Sequence, residues 1–493
     1  MKKILTDRLK ALDFSREFVV DAPGKACYSY EGFFGRCLSL SSRFEGKGRR
    51  HLVFVMENSV ELLSGYFAAI LSGNIACALD PMKGKEEIKT ILDSIPDAVV
   101  VTDNYGEKKL DSWDFKMEPG FFAALEVADG AKHATISRFE DFDFDSDYLL
   151  TFTSGTSGNT KGVRHSLNNL LKTAEAFNSM FGVGEENTFA HVMPMTYMAG
   201  ILNSAFQPFL GMSRIVVLGR FSPIRAFTFW QDVAKWKVNT FWLSPSMLTI
   251  IMKVGNHKVG MEYCKENKTL FFIGTAPLHL KTRQEFEARY PVTLYASYGL
   301  SETLFISTET AQTVAAGGGN VGKLLDGVSY RFAGDGEMQV DVPWMFLGYT
   351  NEPTEKYFDG SYYKTGDLAR IEDGVLSIVG RSKDLIIKGG MNISPALVES
   401  IVSGIEGVDE CSVFSILSKD NEELMVLGYS SSKTDSELEK TISAAVSEKL
   451  GKNYMIDLFY KVPSIPKNIN GKNDKKVLKD NYIKFRQENA GKI

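Results

Sequence analysis

Short apolar runs alternate with amphipathic stretches along most of the chain. The run HLVFVM begins at His51, the next segment has helical spacing up to about Leu71, and a second apolar run ends at Asp80-Pro81. Another apolar run, AVVVTD, covers residues 98–103. Buried strands that alternate with helices in this way predict an α/β fold whose sheets are mostly parallel and flanked by helices on both faces.

The pattern changes twice towards the C-terminus. From about Gly334, short strands separated by turns predict a small β subdomain. After Gly380, the helical segment ALVESIVSGI and the strands CSVFSIL and ELMVLGYS are typical of a compact α+β unit. We therefore predict a large N-terminal domain over residues 1–380, a connection at 381–384 and a C-terminal domain over 385–493.

Composition argues against several classes of partner. The 493 residues carry a formal net charge of −5, so no overall basic field is available for nucleic acid or an anionic membrane. The five cysteines include no C-x-x-C pair, which argues against a zinc site and indicates a reducing compartment. The N-terminus lacks the apolar core of a signal peptide, and no window of about 18 apolar residues occurs. We expect a cytoplasmic protein without integral membrane association.

One polar stretch, TFTSGTSGNTKG over residues 151–162, has the composition of a phosphate-binding loop. Its hydroxyls, glycines and single lysine can surround a polyphosphate with hydrogen-bond donors. It is not a P-loop, because Thr160 precedes the lysine and Gly162 follows it. An apolar run at 148–150 and the helical spacing after the loop predict a strand, a loop and a helix that together bind the phosphates. Taken alone, the stretch also fits a serine- and glycine-rich surface loop.

Six further segments follow in order along the chain: HVMPMTYMAG, LFFIGTAPLH, LYASYGLSET, YYKTGDL, GRSKDLIIKGG and NINGK. With the loop, they make essentially the whole chain resemble the adenylate-forming superfamily of acyl-CoA synthetases, peptide-synthetase adenylation domains and luciferases. Thr160 replaces a proline of the family loop, which implies a more mobile loop. Ala296 replaces a polar residue that often contacts adenine. Milder departures are Ser157, Ser301, Leu397 and Asn470.

The resemblance implies an ATP site built from several of these segments. Lys161 and the loop are expected to hold the β- and γ-phosphates, and Tyr298 to stack on adenine. Asp367 is expected to accept hydrogen bonds from both ribose hydroxyls, and Arg381 to contact the nucleotide. The residues expected to bind ATP are Thr153, Ser154, Gly155, Thr156, Ser157, Gly158, Lys161, Gly274, Thr275, Ala276, Ala296, Ser297, Tyr298, Gly299, Ser301, Asp367 and Arg381.

The resemblance also implies a reaction in two steps. Lys472 is expected to bring a carboxylate and the α-phosphate of ATP together, with Mg²⁺ supported by Glu302, so that an acyl adenylate forms and pyrophosphate leaves. The C-terminal domain is then expected to rotate about Lys383 as a mobile lid, so that a thiol passes Gly390 and displaces AMP. The residues expected in the acyl pocket are Tyr197, Trp242 and Leu300.

The identity of the acid and of the acceptor is less constrained. No acidic residue lies between His191 and Phe206, where related domains that activate α-amino acids carry an aspartate. A buried ammonium without a partner is costly, so we expect a carboxylic acid without an α-amino group. Coenzyme A is the preferred acceptor, and a separate phosphopantetheinyl carrier protein is the alternative. A luciferase-type monooxygenase and an inactive nucleotide-binding homologue are the other classes considered.

Overall fold

Helices and parallel strands alternate along most of the chain. The computed structural model describes residues 1–46, 48–154, 160–315, 319–388, 391–418, 423–431, 435–467 and 472–488. The strands up to residue 381 are β1 (Glu17–Asp21), β2 (Ala26–Ser29), β3 (His51–Val55), β4 (Ile75–Leu79), β5 (Ala98–Thr102), β6 (Phe115–Lys116), β7 (Asp147–Ser154), β8 (Thr160–Ser166), β9 (Thr188–His191), β10 (Arg214–Val217), β11 (Thr240–Leu243), β12 (Leu270–Ile273), β13 (Leu294–Leu300), β14 (Leu304–Thr308), β15 (Lys323–Leu324), β16 (Ser329–Phe332), β17 (Glu337–Asp341), β18 (Gly348–Tyr349), β19 (Phe358–Asp359), β20 (Tyr362–Glu372) and β21 (Val375–Arg381).

The helices of the same region lie mostly between these strands in sequence. They are α1 (Lys2–Ala11), α2 (Tyr30–Ser41), α3 (Val60–Leu71), α4 (Lys85–Asp93), α5 (Phe121–Ala124), α6 (Ala131–Asp141), α7 (Leu167–Phe181), α8 (Gln207–Leu210), α9 (Pro223–Trp236), α10 (Pro245–Val254), α11 (His257–Glu266), α12 (Leu280–Arg289) and α13 (Ala311–Ala315). A π-helical segment at Ala199–Phe206 leads directly into α8.

Two large sheets make up most of this region. The first has nine strands in the order β15-β14-β13-β12-β11-β9-β10-β1-β2, of which the six from β13 to β1 pair in parallel. The second has seven strands in the order β18-β8-β7-β4-β3-β5-β6, of which the five from β7 to β6 pair in parallel. Antiparallel strands complete the edges. The predicted α/β fold with mostly parallel sheets is confirmed.

Helix α3 lies between the two sheets, and all of its residues are buried. The ring of Phe67 is 6.3 Å from Phe18 in β1 of the first sheet, and the ring of Tyr66 is 6.0 Å from Phe54 in β3 of the second. A helix that contacts protein on every side needs apolar residues around its whole circumference. This explains why its sequence, VELLSGYFAAIL, is apolar apart from Glu61 and Ser64.

A third, five-stranded sheet is antiparallel and contains β16, β17, β19, β20 and β21. It is the small β subdomain that the sequence predicts. The chain then continues through β22 (Ile386–Lys388), β23 (Met391–Ile393), α14 (Pro395–Val402), β24 (Glu410–Leu417), β25 (Glu423–Ser430), α15 (Asp435–Leu450), β26 (Leu458–Lys461) and α16 (Lys475–Glu488).

This C-terminal part has apolar cores of its own. One cluster of buried side chains runs from Ile386 to Ile456, and a second from Phe414 to Tyr482. Among the described residues, no buried cluster combines side chains from before and after residue 381. Within the same ranges, no helix is both long enough and apolar enough to cross a membrane.

Candidate active site

The lysine of the predicted phosphate loop lies on a β-hairpin. Strands β7 and β8 pair antiparallel up to Ser154 and Thr160, and Thr153 faces Lys161 across the hairpin. Helix α7 begins only at Leu167, where the Ser166 hydroxyl accepts a hydrogen bond from the Asn169 N–H at 3.1 Å. The prediction that a helix directly follows the loop is therefore wrong. Residues 155–159 lie outside the described residues, and with them the predicted Gly155, Thr156, Ser157 and Gly158.

The ammonium of Lys161 is held by a carboxylate and two tyrosine rings. It lies 2.8 Å from Glu352 Oε1, 4.1 Å from the centre of the Tyr357 ring and 5.2 Å from that of Tyr349. It also donates to the Tyr357 hydroxyl, which donates to Glu352 Oε2 at 2.8 Å. Burial lowers the pKa of Lys161, but the hydrogen bonds to Glu352 and Tyr357 outweigh burial and raise the pKa above its ordinary value.

Asp367, Tyr298 and Arg381 come together although they lie on different strands. The Tyr298 hydroxyl donates to Asp367 Oδ2 at 2.7 Å, and Arg381 Nε donates to Asp367 Oδ1 at 2.7 Å. The Asp367 side chain is only 4% exposed, whereas that of Arg381 is 43% exposed. Burial raises the pKa of Tyr298 well above its ordinary value, and the Asp367 charge adds to this shift. The result is a fixed carboxylate with lone pairs left for further donors.

The charge of Lys472 acts on the predicted hinge residue, Lys383. Burial lowers the pKa of Lys383, and the charges of Arg381 and Lys472 lower it further. The predicted catalytic lysine is thus within electrostatic range of the predicted hinge residue, although the two are far apart in sequence. Lys383 itself lies in a 3₁₀ turn at Ser382–Asp384. Gly390, predicted to line the thiol's approach, lies outside the described residues.

The predicted metal ligand, Glu302, is oriented by tyrosines. The Tyr349 hydroxyl donates to Glu302 Oε1 at 2.7 Å and lies 3.0 Å from the Tyr363 hydroxyl. Within the described residues, no group of three or more histidine, cysteine or acidic side chains could hold a metal ion. Mg²⁺ is often held by one carboxylate together with substrate phosphates and water, and Glu302 fits that mode of binding. Because Tyr349 also contacts Lys161, it connects the phosphate lysine to this carboxylate.

The turn after β12 has an unusual backbone. Thr275 has φ of +70°, a left-handed conformation that is rare for a β-branched residue. Its neighbour Gly274 lies against the Trp242 ring, which is 3.5 Å from where a Cβ at Gly274 would stand. Ala276 follows in the same turn. Strained backbone of this kind is common where a ligand contacts a protein closely.

The other predicted residues of the ATP site lie on or just after β13. The Ala296 N–H donates to Glu309 Oε2 at 2.7 Å, and the Ser297 hydroxyl is 2.8 Å from that of Thr308. Gly299 lies so close to β14 that a Cβ there would be 2.0 Å from the Leu304 oxygen. The Ser301 carbonyl is 2.7 Å from His165 Nε2. These contacts fix the strand that carries Tyr298.

A cavity of about 160 Å³ opens beyond the carboxyl ends of the parallel strands β9 to β12. This is the edge at which parallel sheets usually bind ligands. Tyr197 lines the cavity, as do hydroxyl and apolar side chains, and none of its described lining residues is acidic. Trp242 and Leu300 lie outside the lining. Trp242 is buried among aromatic side chains, with its Nε1 donating to Gln207 Oε1 at 2.8 Å, and Leu300 packs near Phe346.

The C-terminal part contacts the N-terminal part near this site. His279 Nδ1 lies 3.3 Å from the Ser403 hydroxyl, and Lys281 Nζ donates to the Val408 oxygen at 3.0 Å. The Ser394 hydroxyl, at the start of α14, donates to the Val379 oxygen at 2.6 Å. The C-terminal part is therefore held by these contacts against the surface around α12 and β21.

The tyrosine-rich segment around Lys161 and Glu302 was missed by the sequence analysis. LGYTNEPT was interpreted only as short strands and turns of the β subdomain. In the structure, Tyr349, Glu352 and Tyr357 all contact Lys161. Two tyrosines and two glutamates within residues 349–357 were the available signal, but nothing in their spacing indicates a partner so distant in sequence.

Comparisons with known proteins show the family and the fold. The protein family described as AMP-binding enzyme matches residues 11–350. The chain is 25% identical to malonate–CoA ligase of Arabidopsis thaliana, over 95% of this chain and 83% of the relative. It is 26% identical to 2-succinylbenzoate–CoA ligase of Bacillus velezensis, over 86% of each. The crystal structure of ATP-bound MatB from Rhodopseudomonas palustris shares the fold, with a TM-score of 0.83, 24% identity and coverage of 98% of this chain and 99% of that one.

Proposed function

The chain belongs to the family of AMP-binding enzymes, and from that premise we propose that it is an AMP-forming acid–thiol ligase. It activates a carboxylic acid with ATP and transfers the acyl group to coenzyme A. Relatives named as CoA ligases for malonate and 2-succinylbenzoate support this reaction. The observation that carries the proposal is the fixed Asp367 carboxylate, which accepts from Tyr298 and Arg381 although the three residues lie in separate motifs of the sequence.

The first step forms a mixed anhydride. A carboxylate oxygen attacks the α-phosphorus of ATP, the bond to the bridging oxygen breaks, and pyrophosphate leaves with the electron pair. Such phosphoryl chemistry depends mainly on positioning and on compensation of negative charge. Lys472 draws the carboxylate and the α-phosphate together, Asp367 holds the ribose hydroxyls, and Lys161 holds the outer phosphates. Mg²⁺, when held by Glu302 and the phosphates, compensates their charge.

The second step exchanges the nucleotide for a thiol. The thiol of coenzyme A loses its proton to solvent, its sulfur attacks the acyl carbon, the bond to the phosphate oxygen breaks, and AMP leaves with the electron pair. Because Lys472 covers the acyl group in the first step, the C-terminal part must move to admit the thiol. The separate apolar cores before and after residue 381 support our proposal that residues 385–493 move as a lid about 381–384.

The cavity beside Tyr197 supports a compact acid without an α-amino group. Its walls combine hydroxyl and apolar side chains, and no described lining residue offers a carboxylate for a substrate ammonium. Arg220 also lines the cavity, but both oxygens of Asp80 accept from its guanidinium at 2.8 and 3.0 Å. Its charge is therefore already compensated.

All five cysteines of the chain are free thiols in the structure, and together with the net charge of −5 this supports our proposal that the protein acts in the cytoplasm.

Pyrophosphate release tests this function directly. The purified chain is assayed with ATP, Mg²⁺ and a panel of short, branched, dicarboxylic and aromatic acids, with amino acids included, each with and without coenzyme A. We expect release that depends on the acid and is accelerated by coenzyme A. Release that coenzyme A does not accelerate would favour a carrier protein as the acceptor. No release with any acid would contradict the proposed activity.

A further inference from the structure

The cation that the proposed function assigns to the outer phosphates of ATP already has an anionic partner. Lys161 Nζ lies 2.8 Å from Glu352 Oε1, and the two side chains are only 15% and 17% exposed. The rings of Tyr349 and Tyr357, whose centres are 4.9 Å apart, cover the ammonium from two sides. Such a partly buried pair is screened less by solvent than an exposed surface pair.

Hydrogen bonds from the two residues before Glu352 to the main chain of the hairpin fix its position relative to Lys161. The Thr350 N–H donates to the Gly162 oxygen at 2.9 Å, and Asn351 Nδ2 donates to the Thr160 oxygen at 2.7 Å. The carboxylate of Glu352 is therefore attached to the hairpin that carries the lysine. It lies there because of the fold, and not because a flexible side chain happens to reach the lysine.

Glu352 keeps its negative charge throughout the physiological pH range. Burial alone would raise the pKa of this carboxyl, but hydrogen bonds from Lys161, Lys356 and Tyr357 outweigh burial and lower the pKa to about 2. An anionic phosphate that approaches Lys161 therefore meets a carboxylate on the same ammonium. The two anions repel each other, and each reduces the benefit that the other gains from the cation.

We infer that Glu352 is a positioning residue that competes with the β- and γ-phosphates of ATP for Lys161. The inference rests on the proposed function and adds a regulator of nucleotide affinity to it. Without nucleotide, Glu352 holds the lysine at the edge of the hairpin. When ATP binds, the ammonium turns from the carboxylate towards the phosphates. After the first step, the carboxylate takes the ammonium back and so favours release of pyrophosphate.

The test compares three anions on the full-length protein. We expect Glu352→Gln, which keeps the size of the side chain and a partner for Tyr357, to bind ATP and pyrophosphate about 3-fold more tightly or better. AMP lacks the outer phosphates, so its affinity is expected to stay unchanged. Isothermal titration calorimetry with ATP, pyrophosphate and AMP measures all three, and a purely structural role of Glu352 would alter AMP binding as well.

Two further variants act as controls. Glu352→Asp keeps the charge and is expected to keep ATP affinity close to wild type. Lys356 is a second partner of Glu352, and the Lys356 side chain is 53% exposed. Lys356→Gln removes this partner and leaves Lys161 in place. It is expected to change ATP affinity less than Glu352→Gln does. Thermal unfolding followed by circular dichroism shows whether each variant folds like the wild type.

The outcomes distinguish a failure of this inference from a failure of the proposed ligase function. Unchanged or weaker ATP binding by a folded Glu352→Gln protein, with wild-type binding intact, would overturn the competition and leave the proposed function standing. If the wild type bound neither ATP nor AMP, the proposed function and the inference would both fail. Tighter binding of ATP and pyrophosphate with unchanged AMP binding would support the inference.

Discussion

Single residues determine how charge is distributed in this site. Asp367 has its two oxygens bonded to Tyr298 and Arg381, so its carboxylate cannot rotate freely. A ribose would therefore meet acceptors that are already oriented, which reduces the entropy lost on binding. Lys161, in contrast, is paired with Glu352 and would have to reorient before its ammonium could bind a phosphate. One end of the nucleotide site is thus preformed and the other is not.

Lys472 is the residue whose removal tests the first step most directly. We expect Lys472→Ala to slow pyrophosphate release by about 100- to 1000-fold, because one charge contact to the reacting groups is lost. ATP binding is expected to stay within a few-fold of wild type, since Asp367, Arg381 and Lys161 remain. Stopped-flow pyrophosphate release and ATP titration provide the two measurements. Lys476→Ala, an exposed change on α16, is the matched control, and an equal loss in that variant would refute the specific role of Lys472.

The sequence predicted most of the residues that meet in the site, but not all of their partners. The sequence predicted four of them, because each lies in a short segment that resembles a motif of the adenylate-forming superfamily: Tyr298, Asp367, Arg381 and Lys472. Glu352 was not predicted, because its contact with Lys161 depends on how two distant segments pair. The roles of these residues remain predictions until the variants are measured.

At the scale of elements, local pattern predicted helices and parallel strands well and predicted the phosphate hairpin poorly. The segment after the loop contains apolar residues at helical spacing, but only from Leu167 onwards is it helical. Between Thr160 and Ser166 the backbone pairs with β7 on one side and with β18 on the other. Pairing in the β7–β8 hairpin and with the distant β18 outweighs local helical preference here, and the pairing with β18 is not contained in any local window.

The connection at 381–384 gives a second prediction. Proline at Lys383 would fix φ and remove one N–H in the 3₁₀ turn, and so restrict rotation there. We expect Lys383→Pro to form acyl adenylate at near the wild-type rate and to form thioester at least about 10-fold more slowly. Rapid-quench assays of the two half-reactions measure this, with Lys383→Ala as the control for loss of the charge. Equal slowing of both half-reactions would rule out a hinge role for this turn.

Contact between the two parts near His279 predicts a pH dependence. Burial lowers the pKa of His279 below its ordinary value of about 6.5. The charge of Glu399 raises it and that of Lys467 lowers it. The docked arrangement therefore favours the neutral ring. The contribution of a neutral His279 to the contact between the two parts is fully present above about pH 6.5. It weakens as the pH falls towards the lowered pKa of His279.

We therefore expect the rate of adenylate formation to fall below about pH 6.5, and His279→Gln to flatten this decline. Burial lowers the pKa of His165 to about 4 and that of His191 to about 3, so these rings titrate at more acidic pH. Single-turnover rates between pH 5 and 8 measure the effect. An identical decline in wild type and variant would assign the pH dependence to another group.

On the scale of the whole molecule, the structure has two parts with separate cores. In the proposed site, the N-terminal part would contribute Lys161, Glu302, Asp367 and Tyr298, and the C-terminal part would contribute Lys472. Because the parts meet through polar contacts such as His279 with Ser403, they can separate without exposing a large apolar surface. A reaction that needs two arrangements of one site is compatible with such an interface.

Dividing the chain tests this organisation. We expect a fragment of residues 1–384 to fold cooperatively and to bind AMP within a few-fold of wild type, since it keeps Tyr298, Asp367 and Arg381. It lacks Lys472, so adenylate formation is expected to fall by at least about 100-fold. Thermal unfolding, AMP titration and pyrophosphate release measure the three properties. A fragment that fails to fold would show that the cores are not independent.

The burial of α3 between two sheets has a consequence for how the protein is made. Phe67 of α3 packs against Phe206 and Phe209, with ring centres 5.6 and 4.9 Å apart, and these partners are synthesised much later. At roughly 5–20 residues per second, the ribosome needs on the order of ten seconds to reach them. During that time the nascent chain carries a mostly apolar segment whose later packing partners have not yet been made. We therefore expect this segment to bind other apolar surfaces readily until those partners have followed.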